Sequence, residues 1–220
     1  SAASDVYKRQ LQDIRERPIE HAHKADEAHQ KFADARSDFL TILKMWDWIE
    51  TLKREESKSS FKKTLKKNFL NFRRTVEWSE TRDQLARICK TLGLQTNTDK
   101  ATYRAIHLPM IIGNLSNLAR LKDRSQYQGA RNQSLMIFPG SGLFKKKHAW
   151  IVSTEIIETS RIYARDAASI RPSWVEQCSK HLQKERFDDP HWSKKRGEVM
   201  GYQTISPVSY THLRAHETTS

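Results

Sequence analysis

The first half of the chain carries apolar residues at helical spacing. Phe39, Leu43, Trp46 and Ile49 follow Ser37, whose hydroxyl is a good N-cap, and they predict an amphipathic helix with its tryptophans in the core. The same periodicity predicts further helices over residues 22–33 and over residues 103–121, with a kink or a start at Pro109. Residues 60–92 are predicted to form one helix or two, with Ser60 as cap and Gly93 as stop. We therefore expect this half to be helical.

The second half replaces that period with short apolar runs separated by turn residues. These runs predict strands over residues 127–131, 134–138, 150–159 and 161–170, a helix from Pro172, a polar stretch over 187–197 and a strand over 199–205. Several short strands and one helix in about sixty residues match an OB fold, a five-stranded barrel that binds oligonucleotides. We expect an α+β protein in which a helical region precedes a small OB-fold-like β-barrel.

Residues 138–147 connect two of these strands and read Phe-Pro-Gly-Ser-Gly-Leu-Phe-Lys-Lys-Lys. Pro139 cannot donate a hydrogen bond to a sheet, so the strand should end there. Gly140–Gly142 favours a loop whose backbone approaches a ligand closely. With the three lysines that follow, the pattern indicates a phosphate-contacting site. The alternative is a solvated hairpin tip whose lysines protect a strand edge from aggregation.

Composition narrows the choice of partner. The chain has 220 residues, a formal net charge of +13 and a pI of about 9.8, which favour a polyanionic partner and RNA or DNA above all. No apolar run approaches the length of a spanning helix, although a basic surface of this kind also suits a membrane. Cys89 and Cys178 are isolated, which fits a reducing compartment, so we expect a cytoplasmic protein.

Basic residues are concentrated in the helical half. Nine cations stand close together there, against Glu55 and Glu56 alone before Glu77. Such an imbalance is unusual for an ordinary solvated face, and we expect some of these side chains to contact phosphates. The cations are Lys53, Arg54, Lys58, Lys62, Lys63, Lys66, Lys67, Arg73 and Arg74.

Three stretches in colinear order resemble the C-terminal region of bacterial HrpA-type DEAH-box RNA helicases. They are Arg15–Pro18 with Ala33–Leu40, Tyr127–Arg131 with Ile137–Lys146, and Trp150–Arg161 with Pro190–Trp192. The resemblance implies a helical ratchet-like region over 11–104, an OB fold over 105–185 and the start of a truncated C-terminal domain over 186–205. Residues 1–10 and 206–220 have no such pattern, and we interpret them as adapter-derived tails.

The resemblance also implies a function. HrpA-type helicases are ATP-dependent and unwind RNA by pulling one strand through a channel that the ratchet and OB domains roof. ATP and magnesium would bind in motor domains outside this chain, so no cofactor is expected here. By position, Arg131, Lys145 and Lys146 match basic positions of the family's OB fold, Ser141 matches its loop, and Lys147 stands at a more variable position. From the helical half, the candidate RNA contacts are Lys62, Lys63, Lys66, Lys67, Arg73 and Arg74.

Several chemical alternatives have weaker support. Asp26–His29 spells the DEAH tetrapeptide, but a polar helix start precedes it instead of the buried strand that a magnesium-binding carboxylate needs. No Gly-x-x-x-x-Gly-Lys-Ser/Thr loop occurs, and His191 beside Asp188 and Asp189 is better interpreted as a turn than as a metal site. We expect no catalytic residue and no metal in the chain. A module that docks a helicase-activating protein, or a stand-alone nucleic-acid-binding domain, remains an alternative to the helicase accessory region.

Overall fold

The computed structural model describes residues 12–95, 99–144, 146–179, 183–193 and 198–207. The helices are α1 (Ala22–Gln30), α2 (Asp38–Glu55), α3 (Lys58–Lys67), α4 (Phe72–Thr91), α5 (Tyr103–Gly113) and α6 (Pro172–Ser179). The strands are β1 (Leu118–Asp123), β2 (Gln126–Gln128), β3 (Ser134–Ile137), β4 (Trp150–Glu158), β5 (Ile162–Ile170), β6 (Gln183–Ser193) and β7 (Glu198–Pro207). The chain divides into two units, one of residues 1–34 with 40–100 and one of residues 35–39 with 101–220.

The helical unit buries one apolar cluster. Trp48 packs against this cluster, with its ring edge-to-face to Phe32 at 5.2 Å between centroids. The predicted apolar stripe is wrong at Leu43, which is 41% exposed, because Met45 takes the inward position. The buried members of the cluster are Ile14, Phe32, Met45, Ile49, Phe61, Leu65 and Leu70.

Local hydrogen bonds set the ends of the helices in this unit. The predicted cap at Ser60 is wrong, because the Ser57 hydroxyl accepts the Ser60 N–H and starts α3 earlier. Phe69, at a φ of 55°, reverses the chain between α3 and α4. The predicted stop at Gly93 is confirmed, since its φ of 68° is the left-handed conformation that ends a helix.

The second unit contains a closed five-stranded barrel with the order β1-β2-β3-β5-β4. Neighbouring strands are antiparallel, except that β3 and β5 run parallel with Met136 opposite Tyr163. Leu118 opposite Val152 joins β1 to β4 and closes the barrel. The predicted OB-fold-like barrel is therefore confirmed. Three predicted strands appear as β3, β4 and β5, while the predicted strand over 127–131 is reduced to β2.

The helix predicted over residues 103–121 is wrong in its second half. Helix α5 ends at Gly113 with Pro109 inside it, and Leu118–Asp123 forms strand β1 instead. Leu118 and Leu121 satisfy a helical period by chance, but hydrogen bonding to β2 on one side and β4 on the other decides the conformation.

The barrel is filled by side chains from all five strands and from the connection between β3 and β4. A second cluster includes Phe39, Ile111, Val152 and Val175, so helices α5 and α6 cover the outside of the barrel near β4 and β5. The buried residues of the inner cluster are Ala119, Tyr127, Leu135, Ile137, Leu143, Ile151, Ala164 and Ala167.

The last two strands form a separate antiparallel hairpin. Gln183 of β6 lies opposite Pro207 of β7, so the strand expected over 199–205 is confirmed. Strand β6 continues through Asp188 and His191, so the turn predicted there is wrong, although the register of the ladder shifts between these two residues. Among the helices that the structure describes, none is long and apolar enough to cross a membrane.

Candidate nucleic-acid interface

A cleft of about 230 Å³ opens on the barrel where β2 meets the end of β3. The tight turn between β1 and β2 supplies Arg124 and Ser125 to its wall. The connection between β3 and β4 supplies Phe144, Lys146 and Lys147. OB folds bind oligonucleotides on this face, formed by strands 2 and 3 and the loop between strands 1 and 2.

The cleft has an apolar floor beneath a basic rim. Tyr127 and Ile137 form the floor and are almost fully buried, and Met136 lies beside them. The Tyr127 hydroxyl accepts the backbone N–H of His148 at 3.2 Å, and burial raises the pKa of Tyr127. Burial, and then the nearby Lys146 charge, lower the pKa of His148, so this imidazole is neutral near neutral pH.

The Gly-Ser-Gly loop is held by a carboxylate on the first turn of α2. Asp38 accepts hydrogen bonds from the Ser141 hydroxyl at 2.6 Å, the Gly142 N–H at 3.0 Å and the Ala167 N–H at 2.9 Å. The Leu143 N–H donates in turn to the Ser141 hydroxyl oxygen at 3.1 Å. The loop that was expected to approach a ligand with its backbone is thus engaged by the protein itself. Ser141 is half-buried and has a role in fixing the loop.

The ring of Phe138 occupies the outer side of the same connection. It is 38% exposed, lies edge-on to Tyr163 at 6.1 Å, and has the Arg165 guanidinium 5.9 Å from its centroid. A Cβ added to Gly140 would lie 3.1 Å from this ring. Phe138 therefore occupies the space beside Gly140, where the sequence suggested the approach of a ligand, and a side chain at this position would displace the ring by a few tenths of an ångström.

The predicted basic residues of the barrel fall at different places. Lys146 and Lys147 are exposed at the cleft, and Lys145 lies outside the described residues. Arg131, exposed and at a φ of 53°, lies in the turn between β2 and β3. Because β2 and β3 are antiparallel, that turn is at the opposite end of their ladder from the β1–β2 turn. The structure therefore does not bring Arg131 together with Lys146.

Four of the six predicted basic residues of the helical unit form one exposed face of α3. Phe61 and Leu65 bury the other face, and the turn of 3.6 residues places the lysines outward. Among the described residues, no carboxylate lies within ion-pair distance of these lysines. The exposed residues are Lys62, Lys63, Lys66 and Lys67, which we call the α3 lysine face.

The two arginines predicted beside this face have partners within the protein. Arg73 lies 3.4 Å from the Glu77 carboxylate on the next turn of α4, in an exposed ion pair. The Arg74 guanidinium donates to the backbone carbonyl of Asp13 at 2.9 Å. Arg74 therefore holds the N-terminal segment in place, while Arg73 retains an exposed guanidinium.

A serine–histidine pair resembles a catalytic arrangement but is enclosed. The Ser37 hydroxyl donates to Nε2 of His107 at 2.7 Å, and Nδ1 of His107 donates to the Tyr103 carbonyl at 2.6 Å. Ser37 and His107 are both fully buried, so no substrate reaches them. Among the described residues, no group of three or more His, Cys, Asp or Glu side chains is placed to hold a metal.

Comparison with known proteins agrees with this geometry. Residues 106–182 match the oligonucleotide/oligosaccharide-binding (OB)-fold family OB_NTP_bind. The chain is 39% identical over 197 residues, 89% of its length, to the ATP-dependent RNA helicase HrpA of Escherichia coli (strain K12) and equally to its homolog in Haemophilus influenzae. It is 26% identical over 175 residues, 79% of its length, to a probable human ATP-dependent RNA helicase, DHX35.

Over 89% of its length the chain is similar to HrpA-type RNA helicases, and its barrel region matches an OB-fold family. It spans 15% of the length of each HrpA relative and 24% of the human one. Its similarity is to the C-terminal region of these helicases, which carries the OB fold.

The pattern of residues 138–147 indicates the lysines of the cleft, but the sequence gives no signal for three other residues of this region. Arg124 follows an acidic residue in a short polar turn, and nothing in its sequence context indicates a site. Phe144 is a large apolar residue of the kind that usually lies in a core, yet it is 41% exposed. Asp38 stands in the first turn of a helix, where an acidic residue is common and indicates no site, and its distance in sequence from Ser141 concealed their contact.

Proposed function

We propose that this chain is the RNA-contacting accessory region of an ATP-dependent RNA helicase, comprising a ratchet-like helical part and an OB fold. The observation that carries the proposal is the cleft on the oligonucleotide-binding face of the barrel, with Arg124, Lys146 and Lys147 at its rim. Lysine and arginine side chains at such a rim attract phosphates irrespective of the base. The expected ligand is therefore the backbone of single-stranded RNA.

The α3 lysine face provides a second phosphate-binding surface in this proposal. Four exposed lysines on consecutive turns present positive charge along one helix. Arg73 belongs with this surface, and Arg131 would contribute a separate contact on the far end of the barrel hairpin. Ser141 takes part by fixing the loop, and Lys145 is proposed as an RNA contact on its sequence position alone.

The activity of the whole helicase is part of the same proposal. ATP hydrolysis and magnesium binding would belong to motor domains beyond this chain, and the ATP dependence is supported by the names of the HrpA relatives. The proposed domain boundaries are those predicted from the sequence, with the helical part over 11–104, the OB fold over 105–185 and the start of a further domain over 186–205. A cytoplasmic location accords with the absence of a spanning helix in the described residues. Docking of an activating protein has no comparable observation in its favour.

The test is binding of a fluorescent single-stranded RNA by the full chain, measured by anisotropy at low salt. We expect Lys146→Ala with Lys147→Ala to weaken binding several-fold, because two point charges at the cleft are lost. A matched control removes two exposed arginines from the same unit, Arg104 on α5 and Arg171 before α6. Its net charge falls by the same amount, so it should bind almost like the parent.

The result also separates the proposal from the alternative of protective lysines. If the cleft lysines only shield a strand edge, the double variant keeps its RNA affinity and aggregates more readily. Affinity and solubility are therefore measured on the same preparation. Equal losses in the cleft variant and in the control would show that only net charge matters.

A further inference from the structure

The cleft contains apolar and aromatic side chains that phosphate binding alone does not require. A surface that contacts only the backbone needs exposed cations, and the α3 lysine face is of that kind. The cleft adds an apolar floor of Tyr127, Met136 and Ile137, and it adds Phe144 at its wall. Apolar pockets with a few polar groups at the rim are typical of sites that enclose part of a ligand.

Phe144 is an exposed aromatic ring on a fixed backbone. Its neighbour Leu143 is fully buried in the barrel, and the Phe144 N–H donates to the Ser141 carbonyl at 3.2 Å. Ser141 is itself bound by Asp38. A backbone held in this way loses little conformational freedom when a flat ligand stacks on the side chain, which favours binding. The cost of leaving 41% of a phenylalanine in water also falls when a ligand covers it.

We propose that this cleft binds one unstacked nucleobase of the RNA strand, with its ring against Phe144 and its phosphate at the basic rim. The inference rests on the proposed function and adds a base-binding subsite to it. Stacking on an aromatic side chain accepts every base, so the subsite would contribute affinity with little sequence preference. Arg124 and Lys146 would contact the phosphates that flank that nucleotide.

The size of the cleft agrees with a single base. Its volume of about 230 Å³ is below the range of roughly 300–1,000 Å³ that encloses a drug-sized ligand, so it suits one flat ring system. The apolar floor would leave several hydrogen-bonding groups of the base without a partner, which disfavours strong recognition of base identity.

The test compares two oligomers with equal numbers of phosphates, one of uridine nucleotides and one of abasic ribose phosphates. The full chain should bind the uridine oligomer roughly 5- to 100-fold more tightly, the gain expected from one stacked base. Phe144→Leu keeps apolar contact but loses the flat face, so it should remove most of that difference. Phe144→Tyr keeps the face and should restore it.

A control and a second signal make the outcome decisive. Phe138→Leu changes the other exposed phenylalanine of the same connection, which lies outside the cleft lining, and should retain the preference for bases. An oligomer carrying 2-aminopurine should lose fluorescence on binding to the parent and less on binding to Phe144→Leu. Equal affinity for both oligomers, or an unchanged preference in Phe144→Leu, would overturn the subsite while leaving backbone binding intact. Failure to bind either oligomer would instead contradict the proposed function.

Discussion

The Asp38 carboxylate accepts a hydrogen bond from the Ser141 hydroxyl at 2.6 Å, although 103 positions separate the two residues in the chain. Asp38 also accepts the N–H groups of Gly142 and Ala167, so it links the loop after β3 to strand β5. It is only 7% exposed, and hydrogen bonds to a buried carboxylate are stronger than those between neutral groups. This contact sets the position of the loop that carries Phe144 and Lys146.

Replacement of this carboxylate should destabilise the barrel. In Asp38→Asn one side-chain oxygen becomes an NH₂ group, and at least one donor then faces another donor instead of an acceptor. We expect a loss of about 1–3 kcal/mol in the free energy of unfolding, measured by denaturant titration of the full chain. Asp83→Asn, an exposed position that pairs with Arg82, is the control and should change little. If both variants were equally stable, Asp38 would not have the role assigned to it.

A small residue is required where the β2–β3 hairpin turns. A Cβ added to Gly129 would lie 2.9 Å from Cδ2 of Leu135, which is 2% exposed in the barrel core. We expect Gly129→Ala to cost about 1–3 kcal/mol of unfolding free energy, because a packed side chain must move. Gly113→Ala introduces the same methyl group where nothing lies within 4 Å, and thermal unfolding should leave it close to the parent. A neutral Gly129→Ala would mean that Leu135 relocates without strain.

Acid should weaken the helical unit through His29. Its Nε2–H donates to the Phe69 carbonyl at 3.2 Å, but burial holds the pKa of His29 below its ordinary value of 6.5. The unfolded chain therefore takes up a proton at higher pH than the folded chain does. Stability that is present above pH 6.5 is lost as the pH falls below it toward the folded-state pKa.

The histidine variant makes this pH dependence measurable. His29→Gln should reduce the loss of unfolding free energy on acidification, measured by denaturant titrations above and below the ordinary histidine pKa. His148, whose pKa is also lowered by burial, should account for a remaining part. His23→Gln, an exposed histidine on the same helix, should retain the parental profile. An unchanged profile in His29→Gln would contradict the assignment.

Much of the barrel could be predicted from the sequence, because the signals for each strand lie within the strand itself or beside it. Pro139 ends β3, and the apolar runs on either side of residues 138–149 could form little except strands. The sequence did not indicate strand β1, because Leu118 and Leu121 fit a helical period as well as a strand. Its partners β2 and β4 both follow it in the sequence, and β4 lies far from it along the chain.

The candidate site was harder to predict because it is assembled from distant segments. The lysines were visible as a cluster, but the cleft depends on the register of β2 and β3, which brings Arg124 near the end of β3. The same register places Arg131 at the other end of the ladder. The hydrogen bond from the Gly142 N–H to the Asp38 carboxylate likewise has no signal in the neighbouring sequence. Glycine and serine in a loop are equally typical of a turn that binds a ligand.

The most direct test of the account is the salt dependence of RNA binding by the full chain. The affinity for a single-stranded RNA is measured from about 50 to about 200 mM salt and plotted as log K against log salt concentration. We predict a straight line with a slope of about −0.7 for each phosphate neutralised, and a slope smaller by one to two units, approximately, in Lys146→Ala with Lys147→Ala. Replacing the α3 lysine face with alanine should reduce it further. An affinity that does not change with salt, or no binding at low salt, would contradict the claim that this chain contacts the RNA backbone.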